Sequence, residues 1–505
     1  MTTKPGNAPR SLGQLHRLAA VLFLGFASGL PLSLTGQAMQ AWLSVDGVDI
    51  ATIGFLGLVG VPYTFKFLWA PLMDRFEPPL LGRRRGWLVL TQLGLAAALA
   101  WMAGLSPTGA PGLFAVAALV IAFFSASQDV VIDAYRTDVL APNERGLGGS
   151  LSVFGYRLAM ILAGGVALIW AEQWGSWSRV YMVMAGIMLA AACVSLLTLP
   201  RVNSESRPLA SDPKKELAGF GAMIVGVVVG WFLARGLLTL IGLDPADPNK
   251  WIQLLFILAG IAAALPLAYW AARRVGFETL NRSLDSYFSQ QNAWALLLLI
   301  VLYKLGDAFA GTLTTPFLIK GMLFSQAEVG IVNKVIGIWL TIFGALAAGA
   351  VMLRIKLYQA LLAFGVLQLV SNLGFWLLAV SGRGAWGSFM LPPFDLGFVA
   401  LDKASEIDGL LMSAIAFENI ASGMGTAAFV ALLMGLCNHR FSATHYALLS
   451  ALAAVGRIYV SPLSGVLSEA IGWPMFFVFS TLAALPGLIL VWWMRRTIMA
   501  LGAHR

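Results

Sequence analysis

Stretches of about 20 apolar residues recur along almost the whole of this chain, with only short polar connections between them. A helix rises ~1.5 Å per residue, so about 20 residues cover the ~30 Å hydrocarbon core of a bilayer. Hydrocarbon offers no hydrogen bonds, so a segment inside it must satisfy its own backbone, and a helix does so. A soluble protein needs roughly a quarter of its residues charged to make its surface, whereas 11% of these 505 residues are charged and 59% are hydrophobic. The chain is therefore expected to be an all-α polytopic protein of the lipid bilayer. Its polar stretches, 200–217, 273–292 and 381–408, are too short for a separate soluble domain.

Fourteen spans are expected, numbered here in chain order. Spans one to six lie near 17–42, 50–72, 87–105, 112–133, 148–170 and 179–199, and spans seven and eight near 219–242 and 252–272. Spans nine to fourteen follow near 293–317, 329–352, 358–380, 409–436, 444–467 and 473–494. Basic residues test this division, because cytoplasmic loops carry an excess of Lys and Arg. Of the 33, twenty-two fall in one set of alternating loops and tails, five in the other, and six inside spans. The asymmetry predicts both termini in the cytoplasm. It also accounts for the formal charge of +9 without a nucleic-acid partner. Lys4, Arg10 and Arg17 precede an apolar stretch that runs to Leu43, too long for a signal-peptide core, so the first span is expected to be retained. Cys193 and Cys437 lie far apart, and neither they nor His16, His439, His445 and His504 have metal-ligand spacing. No metal or cofactor is expected.

Offsetting the chain by 300 residues places Ser150, Arg157, Gly165 and Val166 on Ser450, Arg457, Gly465 and Val466 without a gap. An arginine inside a span is rare, and here it recurs at one register. The repeat predicts two six-helix bundles plus two extra transmembrane helices inserted between them, a design in which secondary transporters hold substrate near the midplane. The expected division is a first bundle at 1–200, the inserted pair with its linkers at 201–276, an amphipathic cytoplasmic linker helix at 277–292 and a second bundle at 293–505. The linker helix is inferred from Phe277, Leu280, Leu284 and Phe288, which recur near helical spacing. An ordinary linker is the alternative.

Charges inside spans carry the functional reading, since each costs roughly 2.5–3.5 kcal/mol at the bilayer centre unless it faces protein, water or a partner. Lys304 and Asp307 lie three residues apart on span nine, so they share a face. Span four ends with Asp129 and Asp133, four apart, near the predicted depth of Lys66 on span two. Glu418 and Asn419 lie on span twelve, Arg157 and Arg457 on spans five and thirteen, and Asn333 and Lys334 on span ten. Asp129, Asp133, Asp307 and Glu418 are the candidates to load and release a proton. The basic residues would suit a substrate bearing carboxylates or phosphates. Each charge has an alternative role in an ion pair that only holds the bundle together, and a salt-bridge cluster at a cytoplasmic gate would also account for Asp133. Arg235, in the inserted pair, is expected to snorkel or pack structurally.

The loop after span two carries Asp74-Arg75 and then Gly82-Arg83-Arg84. It resembles the loop signature of the major facilitator superfamily, with Ala70 in place of a leading glycine and extra residues between the two parts. In that family the loop braces the cytoplasmic gate, which makes Asp74, Arg75, Arg83 and Arg84, with Lys66 and Arg136, gating candidates. Longer stretches are similar to the AmpG family of muropeptide permeases. They are Gly25-Phe-Ala-Ser-Gly29-Leu-Pro31, Lys66-Phe-Leu-Trp-Ala-Pro71-Leu-Met-Asp74-Arg75, Ser125-Ala-Ser-Gln128-Asp129, Tyr303-Lys304-Leu-Gly-Asp307-Ala-Phe-Ala310 and Phe441-Ser-Ala-Thr444. The resemblance implies a major facilitator fold in the bacterial inner membrane. It also implies proton-driven import of anhydro-muropeptides (GlcNAc-1,6-anhydroMurNAc with or without a peptide stem) for peptidoglycan recycling, a step that in that family feeds β-lactamase induction. Arg157, Lys304 and Arg457 would then meet carboxylates of the stem and side chains such as Gln37 and Gln128 the sugars, while Lys334, nearer the periplasmic mouth, would help attract an anion and Asn419 is a further binding candidate. The glycines Gly29, Gly423 and Gly425 would permit close packing or a broken helix. The chain departs from some relatives in carrying its extra pair of spans centrally, and its segment 381–408 is long. Other anionic solutes, such as a sugar phosphate or acyl-coenzyme A, suit the same cations. A sensor without transport and a membrane enzyme are further alternatives, the last disfavoured because no nucleophile–base arrangement accompanies the histidines.

Overall fold

The structure, a computed structural model, describes residues 12–66, 69–70, 73, 77–78, 81–140, 144–200, 212–278, 293–395, 400–401, 404–436 and 442–503. Asp74 and Arg75, most of the expected linker helix, and the side chain of Arg457 lie outside the described residues. Among those described, twelve helices are long and apolar enough to cross a membrane. The expected fourteen differ by two for local reasons. Span two is a shorter apolar helix, Ile50–Phe65, interrupted by a 3-10 turn at Gly57–Gly60. Spans thirteen and fourteen run together as Ser442–Trp493 but are broken at Gly472, whose φ of 75° and ψ of 165° are not helical. Glycine adopts that conformation freely, and the chain turns back there. Before the turn Gly465 lies against Ala51 of span two, and beyond it Gly487 lies against Leu302 of span nine.

Small residues set how closely the helices approach, as expected where lipid supplies no hydrophobic drive between them. Span one (Gly13–Val45) and span five (Gly148–Trp174) meet backbone to backbone, with Gly25 on Ser152, Gly29 on Tyr156 and Gly155 on Leu22. Spans ten and twelve meet the same way at Gly344 on Ile420 and Gly423 on Thr341. Gly29 and Gly423 are therefore close-packing positions. The break in span nine falls at Lys304 instead, between Ala293–Tyr303 and Leu305–Thr312. Spans five and ten each contain a π-helical segment, Leu162–Val166 and Gly330–Ile336, and the two pack on each other with Gly330 against Gly165.

The long polar segment 381–408 is not a plain loop. Ser388–Leu391 pairs antiparallel with Ser405–Asp408, and Phe394–Asp395 with Ala400–Leu401. Its base is tied to span ten: Asp408 N donates to Glu328 Oε1 at 3.0 Å, and Arg383 pairs with Glu328 at 3.4 Å. Asp408 closes the turn by accepting from Gly384 N and Leu411 N.

Gly155→Val would force branched carbons into the backbone of span one and is expected to cost about 1–3 kcal/mol, seen as a lower melting temperature in detergent. Gly149→Ala, where an added carbon meets nothing within 4 Å, should melt like the parent. Equal melting of both variants would remove the close-packing account.

Candidate functional site

The charges inside the spans fall into two groups. In the second half, Lys304 caps the restarted helix of span nine. Its Nζ donates to Asp307 Oδ2 at 3.2 Å and to Thr426 Oγ1 at 3.1 Å and lies 5.8 Å from the centre of the Phe429 ring. Tyr303 stacks on the same ring at 5.6 Å, and its hydroxyl donates to Leu361 O. Asp307 also faces a crevice with Gln368 and Asn372 of span eleven. Glu418 is within electrostatic reach of Asp307, Lys334 and Lys304. Asn419 Oδ1 accepts from Thr341 Oγ1 at 2.8 Å and its Nδ2 donates to Ile415 O, so this residue joins spans ten and twelve. A π segment adds a residue to a turn and re-aims the side chains on it. In span ten that places Lys334, only 6% exposed, against Gly164 and Gly165 of the first half.

In the first half, Asp129 accepts from Ser28 Oγ at 2.5 Å and lies 3.7 Å from Lys66 Nζ. Span one, the end of span two and span four thus meet at one carboxylate. Tyr63, one turn before Lys66, is within electrostatic reach of Asp129. Nearer the N-terminal end of span one the charges form a separate set. Arg17 pairs with Glu144 through two contacts of 2.5 and 3.0 Å, Arg84 with Asp138 at 2.9 Å and Arg136 with Asp133 at 3.1 Å. Arg136 also donates to Ser152, and Arg85 to the backbone of Leu196. Arg83 opens the helix of span three beside them.

Between the halves lies a cavity of about 190 Å³, lined by residues that include Ser33, Thr35, Gln37, Gln40, Tyr63, Met160, Thr312 and Ser461. At the end of the molecule remote from Arg17, the halves are joined by Gln40 Nε2 to Thr312 O at 2.9 Å, Lys320 Nζ to Val48 O at 2.5 Å, Ala327 N to Glu172 at 2.7 Å and Ala51 N to Glu469 at 3.0 Å. Arg157 NH1 rests on the sulfur of Met160 at 3.8 Å. Among the described residues this half-buried guanidinium has no carboxylate partner.

The structure thus brings together Asp129 with Lys66, and Lys304 with Asp307, Glu418 and Lys334. It places Gln37 at the cavity, and Arg157 beside Met160 of its lining. Several expectations are corrected. Lys304, expected to meet substrate, is engaged within its own half by Asp307, Thr426 and Phe429 and does not line the cavity. Gln128 is fully buried, its amide atoms without a partner among the described residues, and it is not part of the lining. Asn419 is taken up by a helix contact. Asp133 is exposed and pairs with Arg136, which suits the gate rather than the site. Gln40, Tyr63, Thr312 and Ser28 were not singled out from the sequence. Two of them carried a signal, since Gln40 follows Gln37 and Lys66 follows Tyr63 by three residues, one helical face in each case.

The Major Facilitator Superfamily pattern matches residues 21–402. The anhydromuropeptide permease of Escherichia coli K12 is 43% identical over 485 residues, 96% of this chain and 81% of that one. Putative transporter AmpG 4 of Rickettsia conorii is 27% identical over 487 residues, 96% and 97% of the two chains. Among solved structures, a mutant of the peptide transporter POT superposes with a TM-score of 0.67 at 15% identity, covering 96% of this chain and 95% of that one. A bacterial homolog of the human lysosomal transporter Spinster, inward-facing and unoccupied, gives 0.61 at 12% identity over 98% and 99%; these two likenesses concern the fold. The chain belongs to the major facilitator superfamily and, within it, to the AmpG-type permeases. Its fold is that of transporters rather than enzymes.

Lys304→Met would leave Asp307 without its cation inside the membrane and is expected to cost up to about 3 kcal/mol. Adding Asp307→Asn should recover most of the lost thermal stability. A double variant no more stable than the single one would show that the pair is not what holds this region.

Proposed function

We propose that this protein is a proton-coupled secondary transporter that imports anhydro-muropeptides from the periplasm across the inner membrane, by alternating access between a first bundle at 1–200 and a second at 293–505. The observation that carries the proposal is the polar cavity between the halves, closed at one end by backbone and side-chain contacts from both. In a relative named for anhydromuropeptide transport, 43% identity over nearly the whole chain supports the substrate. Positive charge concentrates at the end carrying Arg17, Arg84 and Arg136, which supports a cytoplasmic position for that end and for both termini. The closed end is then periplasmic and the state is inward-facing.

Gln37, Gln40, Thr35 and Ser33 offer amide and hydroxyl groups suited to sugar hydroxyls and N-acetyl groups. Arg157, lacking a carboxylate of its own, offers a planar fork for a carboxylate of the lactyl group or peptide stem. At about 190 Å³ the cavity is below the ~300–1,000 Å³ of a typical ligand pocket, so a disaccharide fills it only as the halves move apart. Lys334, reaching from span ten to Gly164, is a further cation near this path, and Arg457 remains a binding candidate as the repeat counterpart of Arg157. Coupling is assigned first to Asp129. Protonation removes the charge that faces Lys66 and the charge assistance of the bond from Ser28, loosening spans one, two and four from one another. Glu418 and Asp307 form the second candidate site, in contact with Lys334 through charge. Arg83, Arg84 and Arg136, with Asp74 and Arg75, belong to the cytoplasmic gate.

A sugar phosphate or acyl-coenzyme A would use the same cations, and uptake into proteoliposomes separates the readings. Labelled anhydro-muropeptide should accumulate under an inward proton gradient and the accumulation should collapse with a protonophore. Uptake of another anion in its place would replace the substrate assigned here. Asp129→Asn is expected to lower gradient-driven uptake about ten-fold or more while leaving exchange of preloaded substrate largely intact. Normal gradient-driven uptake by this variant would remove Asp129 from the coupling role. Arg157→Gln is expected to weaken binding of peptide-bearing substrate about ten-fold and of an anhydro-disaccharide lacking the lactyl group and stem far less. Equal losses for both would assign Arg157 to the fold instead.

A further inference from the structure

Spans seven and eight lie outside the repeat, and the transport reading gives them no task. They run as Pro213–Leu240 and Lys250–Val275 and pack chiefly on each other through small residues, Gly226 on Ala268 and Gly230 on Ala264. Their two ends are held differently. At the cytoplasmic end, Ala272 and Phe277 belong to a buried cluster with Tyr135, Val139 and Leu199, all from the first half. At the other end, the start of span eight reaches the seam between the halves.

That seam converges on Asp49, Ala51 and Thr52 at the start of span two. Asp49 caps the helix by accepting from Thr52 N at 2.8 Å and Thr52 Oγ1 at 2.7 Å. Lys250 of span eight then pairs with Asp49 at 3.2 Å and donates to Thr52 Oγ1 at 3.4 Å. Between these residues, Ala51 N donates to Glu469 of the second half at 3.0 Å. One turn further along span eight, Leu254 is 3% exposed and packs in one cluster with Ala51 of the first half and Val466 of the second, edged by Phe55 and Leu463. Burial raises the Asp49 carboxyl, but the hydrogen bonds from Thr52 and the charge of Lys250 outweigh it and leave the group below the usual carboxylate range. The carboxylate is therefore charged at neutral pH and available to Lys250.

We propose that the inserted helix pair is a clamp on the periplasmic mouth: it is carried by the first half, grips Asp49 and Thr52 through Lys250, and lays Leu254 on Val466 and Leu463 of the second half while the mouth is closed. The proposal rests on the alternating-access reading above. When the halves part at this end, the Lys250 contacts to Asp49 and Thr52 travel with the pair and act only by holding span eight where Leu254 meets the second half, whereas the contacts to Val466 and Leu463 and the Ala51–Glu469 bond are lost. The pair thus adds stability to the inward-facing state only, and a contact made in one state alone shifts the equilibrium toward it.

The test measures the width of the mouth directly. Spin labels are placed at Thr108→Cys in the first half and Leu323→Cys in the second, in full-length protein in nanodiscs with Cys193→Ser and Cys437→Ser. The distance distribution is recorded with and without anhydro-muropeptide at two pH values. Leu254→Ala and Lys250→Met are each expected to raise the wide-mouth population by about three-fold or more, and Lys250→Arg to leave it unchanged. An unaltered ratio in both Leu254→Ala and Lys250→Met, in protein whose parent form shows both distances, overturns the clamp and leaves alternating access standing. A single distance in the parent under every condition, shared by all the variants, overturns both. Should Leu254→Ala fold poorly, Val466→Ala takes its place, because it removes the same contact from the second half.

Discussion

An unpaired polar group in hydrocarbon is costly, and almost every feature of this protein follows from how that cost is met. Backbone groups are satisfied inside helices. Side-chain charges are satisfied by neighbours of opposite sign, Lys304 by Asp307 and Lys66 by Asp129. Where the helix itself is broken, at Lys304 and in the π segments of spans five and ten, the break lies between packed spans rather than in lipid. The irregular backbone is thus confined to places where protein surrounds it, and these are the places where the halves meet or the charges gather.

The same constraint explains why the contact between the halves is built from backbone and glycine. Four hydrogen bonds cross it with an N–H or C=O on at least one side, and Gly330 lies against Gly165. Glu172 and Glu469, at the ends of spans five and thirteen, each accept from the first turn of a helix in the other half. The two contacts join corresponding spans, five to ten and thirteen to two, although at the 300-residue offset Glu172 falls on Gly472 and Glu469 on Ile169. Such contacts are short and directional, and they are lost together when the halves separate. A seam of this kind has closed and open states with little between them. The cavity sits just inside it, where opening at one end and closing at the other would change which side of the membrane it faces.

The inserted helix pair shows how an addition outside a duplicated frame acquires leverage. Among the described residues it packs into the first half at both ends and shares a buried cluster with the second at one end. A rigid element held in that manner senses the angle between the halves without entering the path of the substrate.

Much of this was legible in the amino-acid order. The span positions, the asymmetric basic loops and the repeated arginine follow from hydropathy, charge and register, which are properties of short stretches. The pairing of Lys304 with Asp307 was legible too, because three residues on a helix always share a face. What the sequence could not decide was which faces meet. Gln128 has the composition of a sugar ligand yet is buried away from the cavity, while Gln40 and Tyr63 line it. Lys304 reads as the partner of Asp307 but is also engaged by Thr426 and Phe429, more than a hundred positions further on. Arg157 keeps an open guanidinium because no carboxylate among the described residues is brought near it. The two β ladders of the segment 381–408 and the turn at Gly472 likewise needed the fold. Helical periodicity sets the angular position of a side chain on its own helix, whereas its partners depend on rotations and approach distances between helices, and these are decided by the packing of small residues across the whole bundle.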